Sequence, residues 1–198
     1  MADEPENDPV EVAEDTEHEH PPVDPELMAR RAAALERVRK FGDPVLRTKA
    51  LPITVFDQKL HDEVRAMGAL MHDAMGIGLA ATQVGALRRL LVYRVEPDSP
   101  VNALVNPVLD WSSGEKEWME EGCLSLPGVH VDVERPVHVR VSARDAGGDE
   151  ILVEASGLEA RVIQHEMDHL DGILILDRTP RDQRKEAMRA LRERSEAA

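Results

Sequence analysis

A chain of 198 residues has room for one well-cored domain of about 100–150 residues with tails or extra helices around it, and two full domains would be a squeeze. Aromatic residues make up only 3% of it, so a core has to be built from Leu, Val, Ile, Ala and Met. The net charge of −15 is unevenly placed: residues 1–25 carry ten acidic side chains and no Lys or Arg, which leaves the rest near −5 and argues against a protein that coats DNA or RNA through phosphate contacts.

Residues 1–25, rich in Glu, Asp and Pro, have too little apolar surface to offset the entropy of ordering and read as a disordered acidic tail, with His18 and His20 as solvated side chains in it. From Pro25 the pattern is helical, over about 26–40, with Leu27, Ala32, Ala33, Leu35 and Val38 as a loose apolar stripe that ends near Gly42-Asp43-Pro44. A cleaner helix is predicted from Asp57 to Met75, with Leu60, Val64, Met67, Met71 and Ala74 at helical spacing and Gly76 and Gly78 as its stop. Strands follow at Leu90–Tyr93, at Ala103–Val105 and on towards Trp118. A hairpin is predicted between Val137–Val141 and Ile151–Val153 across the Asp145–Asp149 turn, with His138 structural within it. Ser156 and Glu159 form a capping-box pattern for a third helix that carries His165 to Asp171 and closes at Gly172. An amphipathic helix from Asp182 to Arg194 comes last. Strands and helices alternate too irregularly for a parallel series, so an α+β domain built on antiparallel strands is expected.

Cys123 is the only cysteine, so no disulfide can form within the chain and a reducing compartment is its natural setting. No stretch approaches the ~18–20 apolar residues of a membrane span, and residues 1–25 lack the basic start and apolar run of a secretory signal. A cytoplasmic protein with no membrane and no DNA partner is the expectation.

His165-Glu166-Met167-Asp168-His169 sets two imidazoles four residues apart, on one face of a helix, where both reach a single ion, with Glu166 beside it. The alternative is a polar helix surface with two unrelated histidines. A catalytic site needs a third protein ligand and one open position. No histidine follows His169, and Glu186, Glu193 and Glu196 lie in the charge-rich terminal helix, so the candidate is Cys123, upstream beside Gly122. Its other reading is a buried inert thiol.

Three separated segments resemble one family together: Gly76-Ile77-Gly78-Leu79-Ala80-Ala81-Thr82-Gln83, Glu121-Gly122-Cys123-Leu124-Ser125 and Gln164-His165-Glu166-Met167-Asp168-His169. The chain resembles a peptide deformylase from about Val38 to Thr179, including the entry segment Phe41-Gly42-Asp43-Pro44-Val45-Leu46-Arg47. The resemblance implies removal of the formyl group from the N-terminal formyl-methionine of nascent polypeptides, releasing formate. It implies antiparallel β-sheets packed around a central metal-binding helix, in a catalytic domain at 41–179, with residues 26–40 an added helix and 180–198 the amphipathic C-terminal helix. It also implies one divalent ion, iron(II) favoured and zinc, nickel or cobalt possible, held by Cys123, His165 and His169.

Glu166 then matches the catalytic glutamate, and Gln83 the residue whose amide faces the formyl oxygen, with the backbone N–H of Leu124 as a further oxyanion donor. Gly76 and Gly78 suit a tight turn and the close approach of an extended peptide. Ile77, Leu126 and Leu158 are candidates for the methionine pocket, Leu158 lying seven residues before His165 and on its face. Arg161 intrudes on that face, and its head is expected to reach solvent while its stem lines the wall. Asp168 and Arg135 are expected to pair and fix the metal helix against the Cys123 segment. The rivals are a metalloprotease and a non-catalytic metal-binding protein at the ribosome; Arg181, Lys185, Arg189 and Arg192, along one side of the terminal helix, would meet ribosomal RNA or protein, or are simply a solvated face.

Overall fold

The four-residue run Leu90-Leu91-Val92-Tyr93 explains the architecture, because every one of its side chains is buried. Successive strand residues point to opposite faces, so an uninterrupted apolar run requires cover on both. In the computed structural model, which describes residues 24–196, this strand is β2 (Leu90–Tyr93), second in an antiparallel sheet that also contains β1 (Gly78–Ala80), β3 (Asn102–Ser112), β6 (His138–Arg144) and β7 (Glu150–Ser156). The order is β1-β2-β3-β6-β7. The expected antiparallel α+β fold is thus present. The acidic tail and the histidines in it lie, up to residue 23, outside the described residues.

Leu91 and Tyr93 face α3 (Gly157–Leu170) and pack with Ile163, Met167 and Leu170. Leu90 and Val92 face the other way, onto Leu60, Met67, Leu70 and Met71 of α2 (Gln58–Asp73). Asp57 caps α2 by accepting from the Leu60 N–H at 3.1 Å. Its end differs from expectation. Met75, not a glycine, adopts the left-handed conformation with φ of 59°, and the N–H groups of Met75 and Gly76 donate to His72 and Met71 carbonyls at 3.0 and 2.9 Å. Gly76 instead spares its neighbour a shift, since a Cβ there would meet Leu124 Cδ1 at 3.0 Å.

α1 (Pro25–Glu36) is shorter than predicted, and Ala32 and Ala33 are exposed; Ala34, Leu35 and Val38 pack with the α2 core. A separate two-stranded ribbon, β4 (Lys116–Cys123) with β5 (Leu126–Pro136), crosses beside α3, and its register shifts between Gly122 and Cys123. Under the ribbon a third core joins Leu126, Val129, Val131 and Val133 to Ala187 and Leu191 of α4 (Arg181–Glu196). Gly172 closes α3 as expected, with φ of 74°. The capping box does not form: Ser156 occupies the N-cap, but its hydroxyl lies 2.8 Å from His138 Nδ1, and Glu159 accepts from the Tyr93 hydroxyl at 3.0 Å. The rest of the fold competes successfully for both local partners.

Candidate metal centre

α3 places His165 and His169 one turn apart, with ring centroids separated by 5.1 Å. Helical spacing alone requires that. What the sequence leaves open is where Cys123 goes, and the register shift at the end of β4 answers it: the strand turns there and presents the thiol to the helix, with Sγ 3.2 Å from His169 Nε2. One ligand atom from each of Cys123, His165 and His169 lies within 4.8 Å of the others. Tetrahedral coordination with metal–sulfur and metal–nitrogen bonds of ~2.0–2.3 Å sets ligand atoms about 3.5 Å apart, so the three fit one ion with small adjustments.

The electrostatics suit a thiolate. Burial pushes the Cys123 thiol up, but the neighbouring His169 and His165 outweigh it and hold the group well below its ordinary range. Burial pushes His165 down, and this is overcome by Cys123 and by Glu121, so the imidazole is held well above its usual value. Its Nδ1 lies 2.9 Å from Glu121 Oε2. A hydrogen bond donated there fixes the ring and leaves Nε2 as the atom that would face an ion once its own proton is released, the arrangement that orients a ligating histidine.

Glu121 is the hub of a buried network whose extent the sequence does not disclose. Arg135 donates to both of its oxygens at 2.7 and 3.0 Å, and Arg161 donates to Oε1 at 2.8 Å. Burial raises the Glu121 carboxyl, but His165 and Arg135 hold it far below the usual carboxylate range. Arg135 also reaches Asp168 at 2.9 Å, the pair expected from the sequence, and Arg178 joins Asp168 at 2.6 Å. Arg161 is the correction here. Its head does not reach solvent; it is buried on Glu121 and on the carbonyls of Val133 and Glu117.

Glu166 is buried beside β1, and burial raises its pKa above the ordinary carboxylate value. Its Oε2 has no hydrogen-bond partner among the described residues. Gly78 makes room for it, since a Cβ at that position would sit 2.4 Å from Glu166 Oε1. Gln83 Oε1 accepts from the Ala80 N–H at 2.8 Å, which turns its amide nitrogen toward Ser125 Oγ at 3.3 Å and Cys123 Sγ at 3.7 Å. These groups open into a cavity of about 730 Å³ bordered by Ile77, Gly78, Leu124, Leu126 and Leu158. Ile77 and Leu158 are each 43% exposed at its mouth, whereas Leu126 is buried beneath it in the ribbon core. Met119 and Val162 also border it, and neither carries a sequence signal beyond apolarity.

The model of the family described as polypeptide deformylase matches residues 35–185. The chain belongs to the peptide deformylase family. The peptide deformylase of Acidothermus cellulolyticus is 46% identical over 160 residues, covering 81% of this chain and 87% of that protein. The deformylase of Thermotoga maritima is 44% identical over 142 residues, covering 72% and 85%. Among solved structures, the deformylase of Synechococcus elongatus in complex with actinonin superposes with a TM-score of 0.75 at 43% identity, over 77% of this chain and 85% of that one. The Legionella pneumophila deformylase gives 0.76 at 35% identity, over 81% and 95%. Peptide deformylases are metal-dependent hydrolases that remove the formyl group from nascent peptides, and the Cys123, His165 and His169 cluster is a site able to hold the ion.

Proposed function

We propose that this chain deformylates N-terminal formyl-methionine with Cys123, His165 and His169 as the ligands of one iron(II) ion, Glu166 as the general acid/base, and Gln83 with the Leu124 N–H as oxyanion donors. The observation that carries the assignment is the unpartnered, buried Glu166 Oε2 beside three converging ligand atoms. A divalent ion held there lowers the pKa of water and polarises the formyl oxygen.

The chain's own groups do the rest. Glu166, whose Oε2 is buried without a hydrogen-bond partner among the described residues, takes a proton from the attacking water and returns it to the departing amine nitrogen. The Gln83 amide nitrogen, oriented by Ala80, donates to the oxygen on which negative charge develops. Ile77 and Gly78 offer backbone to an extended peptide, and Ile77 and Leu158 flank the methionine side chain while Leu126 closes the floor. Glu121 holds His165, and Arg135 holds Glu121 and Asp168, which keeps β5 and α3 in register around the ligands.

The choice of iron follows the family resemblance; the Cys123 thiolate would offset one of the ion's two charges and is itself oxidisable. Protein purified anaerobically with iron should release formate faster than protein handled in air, and equal rates would argue for another ion. Formate release from formyl-Met-Ala tests the activity, and loss of metal in Cys123→Ala tests the ligand set. Cleavage of an internal peptide bond without formate would make the chain a protease instead. We place the reaction in the cytoplasm, supported by a single unpaired thiol; no described helix is long and apolar enough to cross a membrane. We also propose that Arg181, Lys185, Arg189 and Arg192, opposite the buried Ala187 and Leu191 of α4, meet ribosomal RNA near emerging chains. Replacing Lys185 and Arg189 by Glu should then weaken co-sedimentation with ribosomes while formate release from short peptides persists.

A further inference from the structure

α1 (Pro25–Glu36) lies almost entirely before residue 35, where the match to the family begins. It is nevertheless built into the wall of the site. Arg31 and Leu35 border the 730 Å³ cavity together with Met75, Gly76 and Ile77. Lys40, just beyond the helix, donates to the Leu35 carbonyl at 2.7 Å and to the Leu124 carbonyl at 3.3 Å, so the end of α1 is tied to the residue that follows Cys123. A second concavity of about 320 Å³ shares Met75, Gly76 and Ile77 with the first and continues along α1, bordered by Leu27, Arg30 and Arg94.

A peptide that runs past Ile77 therefore leaves the metal centre over a surface whose apolar floor carries three guanidinium groups. Of the four carboxylates that border the two concavities, Glu166 lies at the metal centre and Glu121 is bonded to Arg135 and Arg161. Glu120 borders the far side of the cavity and faces His130 at 3.6 Å, and Asp73 borders the second concavity. Arg94 lies 2.7 Å from His72 Nδ1, and Arg31 has no carboxylate partner among the described residues. A partly buried cation facing an open groove lacks the full screening of bulk water and favours an anionic occupant.

We infer that α1 extends the substrate groove and that Arg31 makes the enzyme favour polypeptides with acidic side chains two to four residues after the formyl-methionine. The inference rests on the deformylase reading. It is tested with formyl-Met-Ala-Asp-Asp and formyl-Met-Ala-Lys-Lys, each referred to formyl-Met-Ala, using the full chain loaded with metal. The acidic peptide should have a kcat/KM about fivefold higher, carried by KM, and about 0.5 M salt should remove the difference. Arg31→Glu should invert the ratio and Arg31→Gln should bring it near one. Equal turnover of the two peptides by the wild type overturns the inference. So does a ratio unmoved by either variant. If formyl-Met-Ala yields no formate, the deformylase reading fails by itself; fluorescence anisotropy of the two labelled tetrapeptides then still reads the charge preference of the rim.

Discussion

Two parts of the molecule are dense with charge and use it in opposite ways. Behind α3, Glu121, Arg135, Arg161 and Asp168 are withdrawn from water and bonded to one another at 2.7 to 3.0 Å. On α4, Arg189 pairs with Glu193 and Lys185 with Asp182, all of them largely exposed. The residue types are the same. What differs is the consequence of losing a partner: a buried ion left alone has nowhere to find compensation, whereas an exposed one finds water.

The comparison can be broken most directly at Glu121. Glu121→Ala leaves Arg135 and Arg161 without their shared carboxylate and His165 without its orienting acceptor, so we expect a loss of about 3–5 kcal/mol in urea unfolding together with lower metal content. A loss as small as that of a surface variant would mean that water enters the network freely. Gly78→Ala comes next. Its Cβ would overlap the Glu166 carboxylate, and displacement of a catalytic group by ~1 Å typically costs about 100-fold in rate. Steady-state formate release should show this loss while the ligand cluster still binds metal.

A smaller effect is expected at Asp177, which sits between the two extremes. Burial pushes its carboxyl up, but Arg47, the Leu174 N–H and Arg184 outweigh that and hold it below its ordinary value. A depressed folded-state pKa contributes stability that is present above the usual aspartate value of ~3.9 and is lost as pH falls through the folded value. The Asp177→Asn variant should therefore show a flatter fall in denaturation midpoint below about pH 4, and an unchanged slope would remove Asp177 from the acid limb. Arg189→Ala stands at the bottom of the scale: its pair is solvated, and its unfolding curve should overlay that of the parent.

The same contrast explains what the sequence discloses. The histidine pair, Cys123, Gln83 and most element types are legible because they depend on local spacing or on motifs that stand together. α4 and the β6–β7 hairpin appear close to where periodicity puts them. β5 is not anticipated, although Val129, Val131 and Val133 alternate cleanly within it. Arg161 is misjudged for a more general reason. A charged side chain defaults to solvent unless its partners are known, and Glu121 lies 40 residues away in sequence. The stop of α2 at Met75 is hidden likewise, because the adjacent Gly76 offers a simpler explanation that the backbone does not use.

β1 has a consequence of its own. It is the edge strand of the five-stranded sheet, only three residues long, and the cavity opens at its first residue, Gly78. A longer exposed edge would be a template on which other copies or unfolded chains could build further sheet. This one is three residues long and buried throughout, so it offers no such template. The opening beside Gly78 is thereby kept from growing into further sheet.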